Sequence, residues 1–154
     1  MDWIVQGVLS FLATAAFGVI FNAPKRTLFH CGLVGMTGWM IYYAFIRQGV
    51  DEVFASFIGA FVISIVAHML ARQFKTPMIV FSVAGIIPLV PGGLAYNAMR
   101  TIVENDYAKS IQYGARVFII SGAIVMGLVF AEVFMQLIFN AIRKRKARLA
   151  KVSS

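Results

Sequence analysis

Five long apolar segments, separated by short polar stretches, dominate the chain. They cover residues 3–21, 28–46, 53–71, 78–99 and 117–139. Their lengths are 19, 19, 19, 22 and 23 residues, and a helix of about 20 residues crosses a hydrocarbon core of about 30 Å. The pattern therefore predicts an all-α membrane protein with five transmembrane helices in a domain of residues 1–142. Small residues four apart, such as Ser56/Ala60 and Ala123/Gly127, predict close packing between these helices.

Composition supports the membrane interpretation. Of the 154 residues, 60% are hydrophobic and 13% are charged, whereas soluble domains carry about 25% charged residues. The net charge of +8 arises largely from the end of the chain, because six of the 14 basic residues lie in residues 143–151. This layout disfavours a soluble enzyme or a nucleic-acid-binding protein. Cys31 is the only cysteine, so an intrachain disulfide is impossible, and we expect no cofactor and no metal.

The distribution of basic residues predicts the orientation. With five crossings, ten basic residues fall on one side and four on the other, whereas a fourth segment that dips in and returns would divide them seven to seven. The positive-inside rule favours the first division. We therefore expect the amino terminus outside, a basic cytoplasmic tail of residues 143–154, and a first helix that is retained rather than cleaved. Four acidic residues then fall in outer loops, and four aromatic residues suit an outer interfacial belt: Asp51, Glu52, Glu104 and Asp106; Trp3, Trp39, Tyr42 and Tyr43.

The fourth segment contains a Pro-x-x-Pro-Gly-Gly cluster. Pro88 and Pro91 remove helical donors, and Gly92 and Gly93 add backbone freedom. Pro88 is ten residues from Met78, so it should lie about 15 Å deep, near the bilayer midplane. We therefore predict that the fourth helix is discontinuous, as at the substrate sites of many secondary transporters. A purely structural kink is the alternative.

A broken helix exposes amides at the start of its second half. We expect that half to begin near residues 93–94, with its positive dipole end suited to a substrate carboxylate. Tyr96 and Asn97 would lie in its first turn and add side-chain donors.

Two stretches resemble the threonine/serine exporter (ThrE-like) family. One is Phe21-Asn22-Ala23-Pro24, which is followed by a basic pair, and the other runs from Lys75 to Tyr96 and contains the two prolines. The resemblance singles out six motif positions: Asn22, Pro24, Pro88, Pro91, Gly92 and Tyr96. It implies no catalytic role for any of them.

The family resemblance implies the small subunit of a two-component secondary transporter in a bacterial cell membrane. Such a subunit would form a hetero-oligomer with a larger ThrE-like membrane subunit and export small carboxylate-bearing metabolites, namely threonine or serine. Export of succinate or another dicarboxylate is an alternative, and so is a non-transporting membrane scaffold for a partner.

Two titratable residues in the apolar segments are candidates for proton coupling. Glu132 lies about 10 Å inside the end of the fifth segment, and His68 lies near the cytoplasmic end of the third. For Glu132 the alternatives are pairing with a Lys or Arg of the partner or reaching the inner interface, and for His68 the alternative is an interfacial position. The segments contain no nucleophile-and-base pattern and no metal-ligand spacing, so we predict that the protein is not an enzyme.

Overall fold

The computed structural model describes residues 2–152, with side chains described for residues 2–143. Ser153, Ser154 and the side chains of most of the predicted tail therefore lie outside the described part. The helices are α1 (Asp2–Ile20), α2 (Leu28–Arg47), α3 (Glu52–Phe74), α4 (Ile79–Ile86), α5 (Gly92–Val103) and α6 (Tyr107–Val152), with a 3-10 turn at Ile87–Leu89. Four of them are long and apolar enough to cross a membrane, and the count rises to five when the bent pair α4 and α5 is taken as one span. The predicted all-α membrane class is confirmed.

Helix α1 buries small residues and turns large apolar ones outward. On α1 the buried positions are Gly7, Ser10, Thr14 and Gly18, whereas Leu12 and Val19 are more than half exposed. This is the reverse of a soluble helix, and it suits a bundle whose outer surface meets lipid while small residues let the backbones approach.

Helices α3 and α6 pack closely at Gly127. A methyl group added at Gly127 would lie 2.5 Å from the backbone oxygen of Phe57 and 3.1 Å from the Cβ of Ala60. The Ser64 hydroxyl also donates a hydrogen bond of 3.4 Å to the Leu128 carbonyl. Both contacts lie on the small-residue faces that the sequence predicts.

Helices α3 and α6 run in the same direction. Glu52 lies beside Arg116, Phe61 beside Phe134, and Arg72 beside Phe139, so the residue numbers rise together along both helices. The chain between them must therefore return once along the bundle. The pair α4–α5 makes this return as one bent traverse, whereas a re-entrant loop would leave α6 antiparallel to α3.

The bundle thus has two ends. We call the one with the α2–α3 loop the Asp51 end and the one with the α3–α4 loop the Lys75 end. At the Asp51 end, the Asp51 carboxylate caps α3 by accepting a hydrogen bond of 3.0 Å from the Val53 amide. At the Lys75 end, α1 closes at Asn22, whose φ of +54° allows the Ala23 amide to bond the Gly18 carbonyl at 2.9 Å.

Helix α6 begins ten residues before the predicted fifth segment. Its start, residues 107–116, packs against α5 as a hairpin, in which the Ser110 hydroxyl donates a 2.9 Å hydrogen bond to the Ala98 carbonyl. Because Arg116 lies level with the start of α3, this hairpin extends beyond the Asp51 end of the other helices. The hydropathy pattern did not indicate it, since residues 107–116 contain no long apolar run.

Candidate substrate-binding cavity at the helix break

The chain breaks at the predicted proline cluster. Helix α4 ends at Ile86, Val90 is extended (φ −61°, ψ 128°), and α5 begins at Gly92. The axes on the two sides differ by 52°. Pro88 and Pro91 would leave the carbonyls of Ala84 and Ile87 without α-helical donors.

Hydrogen bonds that span three residues compensate for the donors that both prolines remove. The Ile87 amide bonds the Ala84 carbonyl, and the Val90 amide bonds the Ile87 carbonyl at 3.3 Å. Each bond spans three residues instead of four, which tightens the chain into the 3-10 turn. The break is therefore a well-bonded feature of the backbone.

The break lies nearer the Asp51 end than the middle of the bundle. Leu89 packs against Gly59, and Gly85 packs against Ile63. Gly59 is seven residues past Glu52, or about 10 Å along α3, whereas Ile63 marks the centre of that helix. The break thus lies closer to the Asp51 end than the bilayer midplane at which it was expected. The reason is that α5, the second half of the pair, extends past the bundle into the hairpin with α6.

A cavity of about 200 Å³ adjoins the break. One wall is the continuous segment 88–94. The facing wall comes from α2, α3 and α6 and consists of Trp39, Tyr42, Glu52, Ser56 and Ile120. Residues far apart in the sequence therefore meet at this site.

The amide end of α5 borders the cavity. The first α-helical bond of α5 joins the Ala95 amide to the Pro91 carbonyl at 3.1 Å, and the Gly92 amide bonds the Val90 carbonyl at 2.7 Å. The amides of Gly93 and Leu94 thus precede the helical hydrogen-bond ladder. A methyl group added at Gly92 or Gly93 would meet no atom within 4 Å, so the space beside these amides is open.

Glu52 supplies a carboxylate on the facing wall. Its side chain is 30% exposed, and its Oε1 accepts a hydrogen bond of 3.2 Å from the Tyr42 hydroxyl. The Arg116 Nε lies 3.9 Å from Oε2, which is too far for a hydrogen bond. One negative group, oriented by Tyr42, therefore shares the cavity with the positive end of a helix dipole.

The structure divides the predicted substrate-binding residues into three groups. Pro88, Pro91, Gly92 and Gly93 line the cavity. Tyr96 is 66% exposed, and Asn97 lines a separate polar groove on the α5–α6 hairpin. Asn22 lies at the opposite end of the bundle, where it closes α1.

The two proton-coupling candidates lie away from the cavity. Glu132 is 12 residues past Ile120 on α6, and His68 is 12 residues past Ser56 on α3, about 18 Å in each case. The Glu132 side chain is exposed on the outer face of α6, and the His68 Nδ1 lies 3.2 Å from the Ser64 carbonyl oxygen.

Sequence reasoning missed the facing wall. It assigned Trp39 and Tyr42 to an interfacial belt and Glu52 to an outer loop. The available signal was a glutamate directly after a helix cap, but nothing in the sequence connects it with prolines 36 and 39 residues further on.

These features define a polytopic helical membrane protein with a polar cavity at a helix break. The model of the family "Threonine/Serine exporter, ThrE" matches residues 6–134. The chain therefore belongs to the threonine/serine exporter family, and the predicted family is confirmed.

One relative is an uncharacterized protein of Haemophilus influenzae. It is 28% identical over an alignment of 147 positions, which covers 82% of this chain and 50% of the relative. The chain thus spans about half the length of this relative. No solved structure matches the chain.

Proposed function

We propose that this chain is the small subunit of a membrane exporter of threonine, serine and similar small amino acids. Membership of the exporter family supports the transporter class. The chain matches only half of its Haemophilus influenzae relative, which supports a second membrane chain as its partner.

The observation that carries the substrate assignment is the pairing of opposite charges in one cavity. The free amides of Gly93 and Leu94 suit a substrate carboxylate, as helix amino ends suit anions in general. Glu52, held by Tyr42, suits an ammonium group. An α-amino acid carries both groups.

Dicarboxylates fit this arrangement less well. Succinate would offer its second carboxylate to a wall that already carries the Glu52 carboxylate, and like charges repel. The cavity of about 200 Å³ equals several water volumes at about 30 Å³ each, which is enough space for a small amino acid.

We further propose that the Asp51 end faces outward and the Lys75 end faces the cytoplasm. Lys25, Arg26, Arg72 and Lys75 lie at the Lys75 end, and the basic residues from 143 onward belong to the last part of α6, which runs toward the same end. The positive-inside rule favours this orientation. It would open the cavity toward the external face.

Export against a gradient requires a coupling ion, which we propose to be the proton. Glu52 is the titratable carboxylate within the cavity, so a proton there would weaken ammonium binding directly. Glu132 and His68 would act from about 18 Å away along their helices and so need a connecting path.

The test is efflux from cells that lack both subunits and are then complemented with both chains or with either chain alone. Cells preloaded with radiolabelled threonine, serine or succinate should release the two amino acids only when both chains are present. Release of succinate alone would favour the dicarboxylate alternative. Normal assembly without any efflux would favour the scaffold alternative and refute the proposal.

A further inference from the structure

A polar stripe runs along the outer face of α6. Glu132, Gln136 and Asn140 follow at intervals of four residues, and all three are exposed. The Gln136 amide donates a hydrogen bond of 3.4 Å to the Glu132 carboxylate. The face that packs on the bundle is different, since Ala131 and Met135 are buried.

The depth of Glu132 makes its exposure unusual. The Arg72 guanidinium lies 3.2 Å from the centroid of the Phe139 ring, so Phe139 marks the level of the charged residues at the Lys75 end. Glu132 is seven residues before Phe139 on α6, about 10 Å deeper. A carboxylate at that depth is costly against lipid and normally faces protein or water.

The described part of this chain provides no cation for Glu132. The five apolar segments contain no Lys or Arg, and apart from Gln136 the exposed residues next to Glu132 on α6 are apolar, among them Val129 and Val133. The Gln136 amide provides one neutral donor and leaves most of the carboxylate without a partner.

We propose that this stripe, Glu132–Gln136–Asn140, is the docking surface for a transmembrane helix of the larger subunit, and that this helix presents a Lys or Arg to Glu132. The inference rests on the two-subunit arrangement proposed above and specifies where the subunits meet. Charge complementarity selects the occupant, because a second copy of this chain would bring Glu132 against another Glu132 or against a span without cations.

The cavity and the stripe lie on different parts of the chain, so docking and substrate binding are separable. The cavity is lined by the break and by residues near the Asp51 end, whereas the stripe lies toward the Lys75 end of α6. Docking through the stripe would leave the cavity wall formed by Glu52 and Tyr42 unchanged.

The experiment co-expresses the full chain, tagged, with the larger membrane chain of its own exporter pair and measures the complex recovered in mild detergent. The test variant replaces the stripe with leucine (Glu132→Leu, Gln136→Leu and Asn140→Leu together). The matched control places three leucines on the exposed face of α1 (Val5→Leu, Val8→Leu and Val19→Leu). Abundance in the membrane is measured for each variant.

We expect the stripe variant to insert at least as abundantly as the wild type, because its surface has become more apolar. The amount of complex recovered with it should fall at least tenfold. The control should retain the complex. Glu132→Lys should also abolish the complex, and a Lys→Glu or Arg→Glu change at the facing partner position should restore it.

Three results would overturn the inference: full recovery of the complex with the stripe variant, equal loss with the α1 control, and loss of self-association between differently tagged copies instead of the heteromeric complex. The outcome is independent of the substrate assignment. A complex that forms through the stripe but exports no amino acid would refute the proposed function and leave the docking surface intact.

Discussion

Replacement of Glu52 by glutamine removes the negative charge from the cavity and changes little else. Glutamine has nearly the same size as glutamate. Its side-chain carbonyl can still accept the hydrogen bond from the Tyr42 hydroxyl, which is 3.2 Å long with glutamate in place. The contact with Arg116 is also lost, but at 3.9 Å with an Arg side chain that is 59% exposed it contributes little. The substitution therefore isolates the interaction of the carboxylate with the substrate ammonium.

The magnitude follows from the type of hydrogen bond. A bond to a charged group contributes about 1.5–3 kcal/mol and a neutral bond about 1 kcal/mol, so Glu52→Gln should weaken amino acid binding by about 0.5–2 kcal/mol. At 1.4 kcal/mol per factor of ten, the apparent KM for threonine should rise roughly 2- to 30-fold. Succinate, if transported at all, should respond in the opposite direction because a like charge has been removed.

The assay is initial-rate uptake of radiolabelled threonine into proteoliposomes containing both subunits, over a range of substrate concentrations. Glu104→Gln is the matched control, since it makes the same chemical change in an exposed pair with Arg100 on the hairpin. An unchanged KM for threonine with Glu52→Gln, or an equal effect of Glu104→Gln, would refute the role of Glu52 in holding the ammonium group.

Three further predictions test the break, the packing and the hairpin. Pro91→Ala returns an amide to the break and should lower threonine transport severalfold at unchanged membrane abundance; normal transport would show that the proline is dispensable. Gly127→Ala should lower the free energy of unfolding by about 1–3 kcal/mol through overpacking against α3, whereas Gly122→Ala, where a methyl group meets no atom within 4 Å, should not; equal thermal unfolding midpoints in detergent would contradict this. The hydrogen bond from the Lys109 side chain holds the pKa of Asp106 below its ordinary value, so its contribution is present at neutral pH and is lost as the pH falls through that lowered pKa. The protection of amides in the first turn of α6, measured by hydrogen exchange relative to the intrinsic rate at each pH, should therefore fall only at strongly acidic pH, and Asp106→Asn should remove this pH step.

The elements that sequence predicts well here are those with local causes. The five apolar segments agree with α1, α2, α3, the α4–α5 pair and α6, because a membrane core requires runs of about 20 apolar residues whatever the remaining structure does. The break at Pro88–Gly92 is equally local, since a proline removes its own amide from the helix. The turn at Asn22 is a third case, because it depends on the backbone conformation of one residue.

Only one wall of the candidate site could be predicted from the sequence, because only that wall has a local cause. Segment 88–94 forms one wall and was identified from its prolines and glycines. The other wall, including Tyr42 and Glu52, belongs to α2, α3 and α6, and its position depends on how these helices are rotated and staggered. Tyr96 and Asn97 were expected beside the substrate because they follow the break, but the 52° bend directs α5 into the hairpin and leaves Tyr96 exposed.

Sequence by itself determined that this chain is a helical membrane protein and where the fourth helix breaks. It also gave the helix ends to within a few residues, except at both ends of α6, which starts ten residues before the predicted segment and ends at Val152 instead of residue 139. These features depend on length, hydropathy and missing amides, which act within a few residues of the chain. Tertiary structure alone decided that Glu52 faces the break and that Glu132 faces outward. Both outcomes depend on helix rotation, which is set by the close packing of small residues such as Gly127 and Ala60 against neighbouring backbones.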